Sequence, residues 1–200
     1  TVRAYYRGAQ VNPRIMGGAA HGEVTCVAVS DDGIRWRKPA LGLVPFQGSR
    51  ANNIILAPGA HGTHNFAPFI DQNPACTAGA RYKAFGSARR PLHGLLPFAS
   101  PDGIRWSLLS DTPVITDGKF DSQNVAFWDT VRGEYRAYYR DFQDRVRGIK
   151  TATSPDFLHW TPGEWLEFPG AGVHQLYTNQ VIPYERAPHI LLGFPTRFLP

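Results

Sequence analysis

Apolar residues along this chain come in short bursts, each closed by turn-forming residues. "VRAYYR" (2–7), "RYKAFG" (81–86) and "EYRAYYR" (134–140) combine aromatic, alanine and basic positions, and Arg-Ala-Tyr-Tyr-Arg recurs unchanged at 3–7 and 136–140. "NIIL" (53–56), "PVIT" (113–116) and "EWLEF" (164–168) are briefer apolar pieces. Runs of this length, rich in aromatic and β-branched residues and bounded by Gly, Pro, Asn and Asp, predict strands. With 20 Gly and 17 Pro in 200 residues, no stretch is left for a long helix.

The bursts repeat. Ser-x-Asp-x-x-x-Trp occurs as "SDDGIRW" from Ser30, "SPDGIRW" from Ser100 and "SPDFLHW" from Ser154. In such a turn the Ser and Asp side chains bond local N–H groups, Gly33 and Gly103 take positive φ, and the Trp folds back between neighbouring units. Asp32, Asp102, Asp156, Trp36, Trp106 and Trp160 are therefore expected to be scaffold. Ahead of the Tyr-rich strand, in two units, a further strand opens at an asparagine, "NFAPFID" from Asn65 and "NVAFWDT" from Asn124, and a third such segment, "NQVIPY", starts at Asn179. Each unit thus reads as four antiparallel strands: the asparagine-led one, the Tyr-rich one, the one running into Ser-x-Asp, and a short apolar piece. Repeated four-stranded antiparallel sheets predict an all-β fold, a β-propeller, read as one domain over 1–200. Residue 1 enters at strand two of a unit and residue 200 leaves at about strand two of another, so a fragment of a longer propeller is expected.

The innermost strand of each blade lines the axis, so chemistry is expected at the asparagine-led ends. That places His64, Asn65, Gln123, Asn124, His174, Gln175, Tyr177 and Asn179 as substrate-binding residues. Among sixteen carboxylates, those in the Ser-x-Asp turns and hairpins are discounted, Asp71 and Asp129 cap turns, and Asp121 stands out as the catalytic acid. Glu23 would reach the site only if the preceding segment "MGGAAHG" folds inward. Arg7 and Arg140, at equivalent ends of strand two, are expected away from the axis. Glycosidic hydrolysis requires a pair of carboxyl groups, and a single convincing one is legible.

The net charge of +5 is spread along the chain, with "ARRP" (88–91) the densest cluster, which argues against a nucleic-acid partner. No apolar run approaches the roughly 18 residues of a membrane span. Cys26 and Cys76 are expected as buried small hydrophobes, and the seven histidines show no zinc-ligand spacing with them. No cofactor is expected.

Taken together, "VAVSDDGIRWRKPALGLVPFQGSRANNIIL", "HNFAPFIDQNP", "RYKAFG", "FDSQNVAFWD", "EYRAYYR" and "YTNQVIPYERAPHILLGFPTRF" resemble five-bladed propeller proteins related to glycoside hydrolase families 32 and 43. The resemblance implies a secreted or periplasmic carbohydrate-binding hydrolase with an acid from each of three successive blades, and in some relatives an axial calcium ion. The family's motif positions read "HNFAP" and "SQNVA" here, without an acid, and Asp121 is the nearest substitute. Two rival readings are a non-catalytic carbohydrate- or protein-binding scaffold and a sialidase-like propeller, whose arginine triad would draw on Arg7, Arg140 and Arg197.

Overall fold

A computed structural model describes residues 1–9 and 21–199. The protein is all-β, built of small antiparallel sheets of up to four strands. The first sheet holds β1 (Val2–Gly8), β2 (Val24–Ser30) and β3 (Ile54–Leu56). The second orders β4 (Ala67–Ile70), β5 (Tyr82–Ser87), β6 (Leu95–Ser100) and β7 (Ser107–Leu108), and the third orders β8 (Val125–Asp129), β9 (Glu134–Gln143), β10 (Val146–Ser154) and β11 (Glu164–Trp165). Beyond them, β12 (Gln175–Leu176) pairs with β15 (Arg197–Phe198) around the hairpin of β13 (Ile182–Tyr184) and β14 (Ala187–Leu192). No strand pairing links the first sheet to the last among the described residues.

Both β2 and β6 are buried along their whole length, as their largely apolar composition suits strands covered on two faces. The fourth strand of the second sheet is Ser107–Leu108 rather than the expected 113–116 segment. Ile115 makes one bridge, to Leu95, and its side chain fills the core instead.

The Ser-x-Asp turns form as the side-chain chemistry dictates. In each, the Ser hydroxyl accepts the N–H three residues on (Gly33, Gly103, Phe157), while one Asp oxygen accepts two successive N–H groups. At the glycine position the backbone is left-handed, φ 76° at Gly33 and 69° at Gly103, and Phe157 adopts the same conformation at 71°. A non-glycine residue accepts that cost only when its side chain gains elsewhere. Phe157 is fully buried between the second and third sheets, stacked on Phe85 at 4.9 Å and flanked by Tyr135, Trp160 and Phe69.

Each turn leans on the sheet before it. Trp106 meets Tyr5 of β1, whose hydroxyl donates to the Gly103 carbonyl at 2.8 Å, and Trp160 packs on Phe85 of β5. Trp36 of the first copy is 44% exposed and forms no aromatic pair among the described residues, so that copy departs from the expected packing.

A buried polar network adds to this cement. Asp71, which follows β4, pairs with Lys83 of β5 and accepts the Tyr135 hydroxyl of β9 at 2.7 Å, while also capping its own turn through the Asn73 N–H. Burial works to lower the Lys83 pKa, but the Asp71 and Tyr135 hydrogen bonds and the Asp71 charge together raise it. Cys26 and Cys76 are free thiols, and burial pushes both upward in pKa.

Candidate active site

The leading strands of the second, third and last sheets converge, with β1, on one cavity of about 570 Å³. Its wall carries Asn65 and Gln123 beside apolar residues such as Phe66 and Phe127. Counted back from Ser100 and Ser154, Phe85 and Tyr138 hold equivalent places, and they face Ala67 and Val125. Asn65 therefore corresponds to Gln123, one residue away from the alignment that the asparagines suggest. The left-handed backbone of Asn65 (φ 61°) lies at this step.

Asn124 and Asn179 are fully buried and point away from the cavity. Asn124 donates to the carbonyls of Phe120 and Ser122 in its own loop, its Oδ1 having no partner among the described residues, while Asn179 donates to those of Gln123 and Tyr138 and accepts the Val181 N–H, stapling its loop to β9. His174 is exposed in a separate cleft beside Arg147, and Gln175 accepts the Arg147 N–H at 3.0 Å. Tyr177 lies 5.0 Å beneath the guanidinium of Arg140.

A second cavity of about 540 Å³ adjoins the first, sharing Thr63, and gathers Glu23, His64 and Asp121. Three sheets deliver them: Glu23 stands just ahead of β2, His64 ahead of β4 and Asp121 ahead of β8. The His64 Nδ1 lies 2.8 Å from Glu23 Oε2 and 2.9 Å from Arg7, while Arg7 is 3.3 Å from Glu23 Oε1. One ring nitrogen cannot serve an acceptor and a donor at once. Donation from Nδ1–H to Glu23 Oε2, with Arg7 bonded to Oε1, satisfies the carboxylate and leaves the Arg7 guanidinium as a second donor beside the ring. The ring's Nε2 is then turned toward the Asp121 backbone carbonyl, 3.4 Å away.

Asp121 pairs with Arg140, which is itself buried, while the Asp121 side chain is 67% exposed to the cavity. Arg7 and Arg140, expected away from the axis, thus sit at the mouth of the site, each against a carboxylate. Glu23 reaches it as well; residues 16–20 of the segment before it lie outside the described residues. The register of the repeat could have found this constellation. Arg7 faces Thr25, Ser87 faces Leu95 and Arg140 faces Ile149, each five residues before the Ser of its turn, so the middle sheet carries Ser87 where its neighbours carry arginine.

Asp117 is a carboxylate that sequence reasoning passed over. Burial raises its pKa, but the Lys150 ammonium, the Tyr139 hydroxyl and the Gly163 N–H hold it below the ordinary range. Those three contacts make it a cross-strand clasp. Among the described residues no group of three or more His, Cys, Asp or Glu side chains is placed to hold a metal ion.

No protein-family model and no curated protein match the chain. Among solved structures it is similar to an N-acetylgalactosamine deacetylase from F. plautii, solved in complex with blood group B trisaccharide, at 16% identity and a TM-score of 0.54, over 90% of this chain and 54% of that one. It is also similar to a family 117 glycoside hydrolase from Zobellia galactanivorans (16%, TM-score 0.47, covering 82% and 46%) and to a glycosyl hydrolase from Bacteroides ovatus (17%, TM-score 0.46, covering 94% and 51%). The chain spans about half the length of each. At this identity the likeness to the deacetylase is one of fold.

Proposed function

We propose that these sheets are blades of a five-bladed β-propeller that binds a poly- or oligosaccharide and hydrolyses its glycosidic bonds. The meeting of Glu23, His64 and Asp121 from three successive sheets at one cavity mouth carries this reading. Leading strands gathered on a common hollow are the geometry of blades about an axis. The fold-level likeness to a carbohydrate deacetylase supports a carbohydrate-active role.

Hydrolysis of a glycosidic bond needs one group to protonate the departing oxygen and another to activate water or attack the anomeric carbon. Asp121, open to the cavity, serves as the acid/base or charge-stabilising carboxylate. Glu23 acts as a positioning residue: by accepting the Nδ1–H it fixes the His64 ring, whose other nitrogen is directed to the Asp121 side of the cavity for proton exchange with the sugar. Asn65 and Gln123 on the adjoining wall orient sugar hydroxyls.

The test is release of reducing ends from a panel of plant and microbial polysaccharides by the whole protein, with acetate release from N-acetylated sugars measured in parallel. The D121N variant is expected to lose about 10²–10⁴-fold in kcat while keeping the wild-type melting curve. In E23Q the pH profile of kcat should change shape along with its height, because the ring is no longer held. Full activity in D121N removes Asp121 from the chemistry. Saccharide binding without turnover assigns the protein to the non-catalytic scaffolds, and acetate release without reducing ends to the deacetylases.

A further inference from the structure

The cavity at the mouth carries more positive charge than the proposed chemistry uses. Its two carboxylates are already matched, Glu23 by Arg7 and Asp121 by Arg140. Arg89, Arg90 and Lys119 line the same cavity, and none of them enters an ion pair among the described residues.

The fold delivers these cations specifically to this place. In the third sheet β9 and β10 are joined by the tight turn of Asp144 and Arg145, whereas the corresponding β5–β6 connection is the longer segment 88–94. That segment is tied down at both ends: the Ala88 N–H donates to Gly94 O at 2.8 Å, Leu92 N–H to Arg89 O at 3.0 Å, and Arg89 N–H to the His61 ring at 3.0 Å. Lys119 is anchored by its own N–H on the Arg140 carbonyl at 2.8 Å. Ser87 occupies the place where both neighbouring sheets carry an arginine, and its short side chain bonds Phe120 O at 2.7 Å, so the volume that a guanidinium would fill is left as cavity. Leu92, exposed at the rim, adds an apolar surface suited to the face of a sugar ring.

We infer that this mouth is a subsite for an anionic saccharide, a sugar bearing a carboxylate or a sulfate group, held by Arg89, Arg90 and Lys119. The inference rests on the carbohydrate reading above and narrows its substrate class. Guanidinium groups suit planar or tetrahedral oxyanions through their multiple N–H donors, and two of them line this cavity. A cavity of this size encloses a ring or two, and the remaining basic residues are scattered, which favours a sugar over an extended polyanion.

Calorimetric titration of the whole protein against five probes tests the assignment: trigalacturonic acid, its fully methyl-esterified form, a sulfated galactotriose, its unsulfated counterpart and a deoxythymidine oligomer. At least one charged sugar should bind about tenfold or more tighter than its neutral partner, with an affinity that falls as salt rises. Which of the two shows the gain identifies the oxyanion. The R89Q/R90Q double variant and the independent K119Q variant should each reduce that preference, and R89K/R90K should recover part of it. Equal or tighter binding of the neutral sugars overturns the inference and leaves the carbohydrate reading in place. Failure of all four saccharides to bind overturns both. Deoxythymidine binding as tight as the charged sugars, lost in the same variants, makes the patch a general polyanion site and overturns the inference.

Discussion

Phe157 sets two physical effects against each other at one residue, and the outcome can be ordered in advance. Its ring is fully buried among Phe85, Tyr135, Trp160 and Phe69, so truncation to alanine should cost about 3–5 kcal/mol, the range for a buried aromatic. Its backbone sits at φ 71°, where a Cβ is penalised by roughly 1–2 kcal/mol and glycine is not. Glycine recovers that penalty but gives back about 0.5–1 kcal/mol in unfolded-chain entropy. F157G should therefore be more stable than F157A by roughly 0.5–1 kcal/mol, a reversal of the usual ranking of these residues inside regular structure. Both variants should lie well below wild type. Paired urea unfolding curves, followed by tryptophan fluorescence and fitted with a shared m value, resolve the difference. A measurably more stable F157A refutes the penalty assigned to the left-handed backbone, and a loss below about 1 kcal/mol in either variant refutes the claim that core filling outweighs it.

Three other outcomes follow from the same structure. Removing one partner of the buried Asp71–Lys83 pair, as in K83M, should cost about 3–5 kcal/mol by urea unfolding, whereas D71N/K83M should cost clearly less than the two single losses combined. In the Ser-x-Asp turns, burial opposes ionisation, yet the N–H groups and Ser or His partners bring Asp102 and Asp156 down to about 2. Because these folded-state values lie below the unfolded one, their contribution is complete above about pH 4 and fades as pH falls toward 2. The D102N/D156N variant should show a flatter loss of stability across that window. Finally, W36A should change stability by no more than about 0.5 kcal/mol while W160A, half-buried against Phe85 and Phe157, costs about 1–3 kcal/mol, although the two residues hold the same place in the repeat.

The sheets were legible because local chemistry decides them: Ser and Asp at fixed spacing cap the turn in all three copies, and the aromatic runs between turns bury their faces as strands. What escaped was whatever depends on contacts between sheets. Glu23 does not open a leading strand, and nothing in its neighbourhood says that His64 will lie beside it. Asn124 and Asn179 look like Asn65 in the sequence, but a one-residue offset at the left-handed Asn65 turns the equivalence toward Gln123 and sends the other two amides into the backbone. The fourth strand of the second sheet was ambiguous for a related reason, since Ser107–Leu108 and Ile115 take successive places along the same edge of β6, opposite Phe98–Ala99 and Leu95, and the first alone forms a ladder. The doubled Arg-Ala-Tyr-Tyr-Arg phrase did hold the clue to Arg7 and Arg140, and counting back from each Ser would have exposed Ser87 as the break in the series.

Trp106 and Trp160 both rest on strands that come earlier in the chain, and this asymmetry bears on biosynthesis. A ribosome releases the amino-terminal segments first, so each new turn meets a platform already made and need not wait for residues still to be translated. Such one-way accretion shelters apolar surface soon after it emerges, and it leaves the most recently added sheet as the place where a stalled or truncated chain would stick to its neighbours.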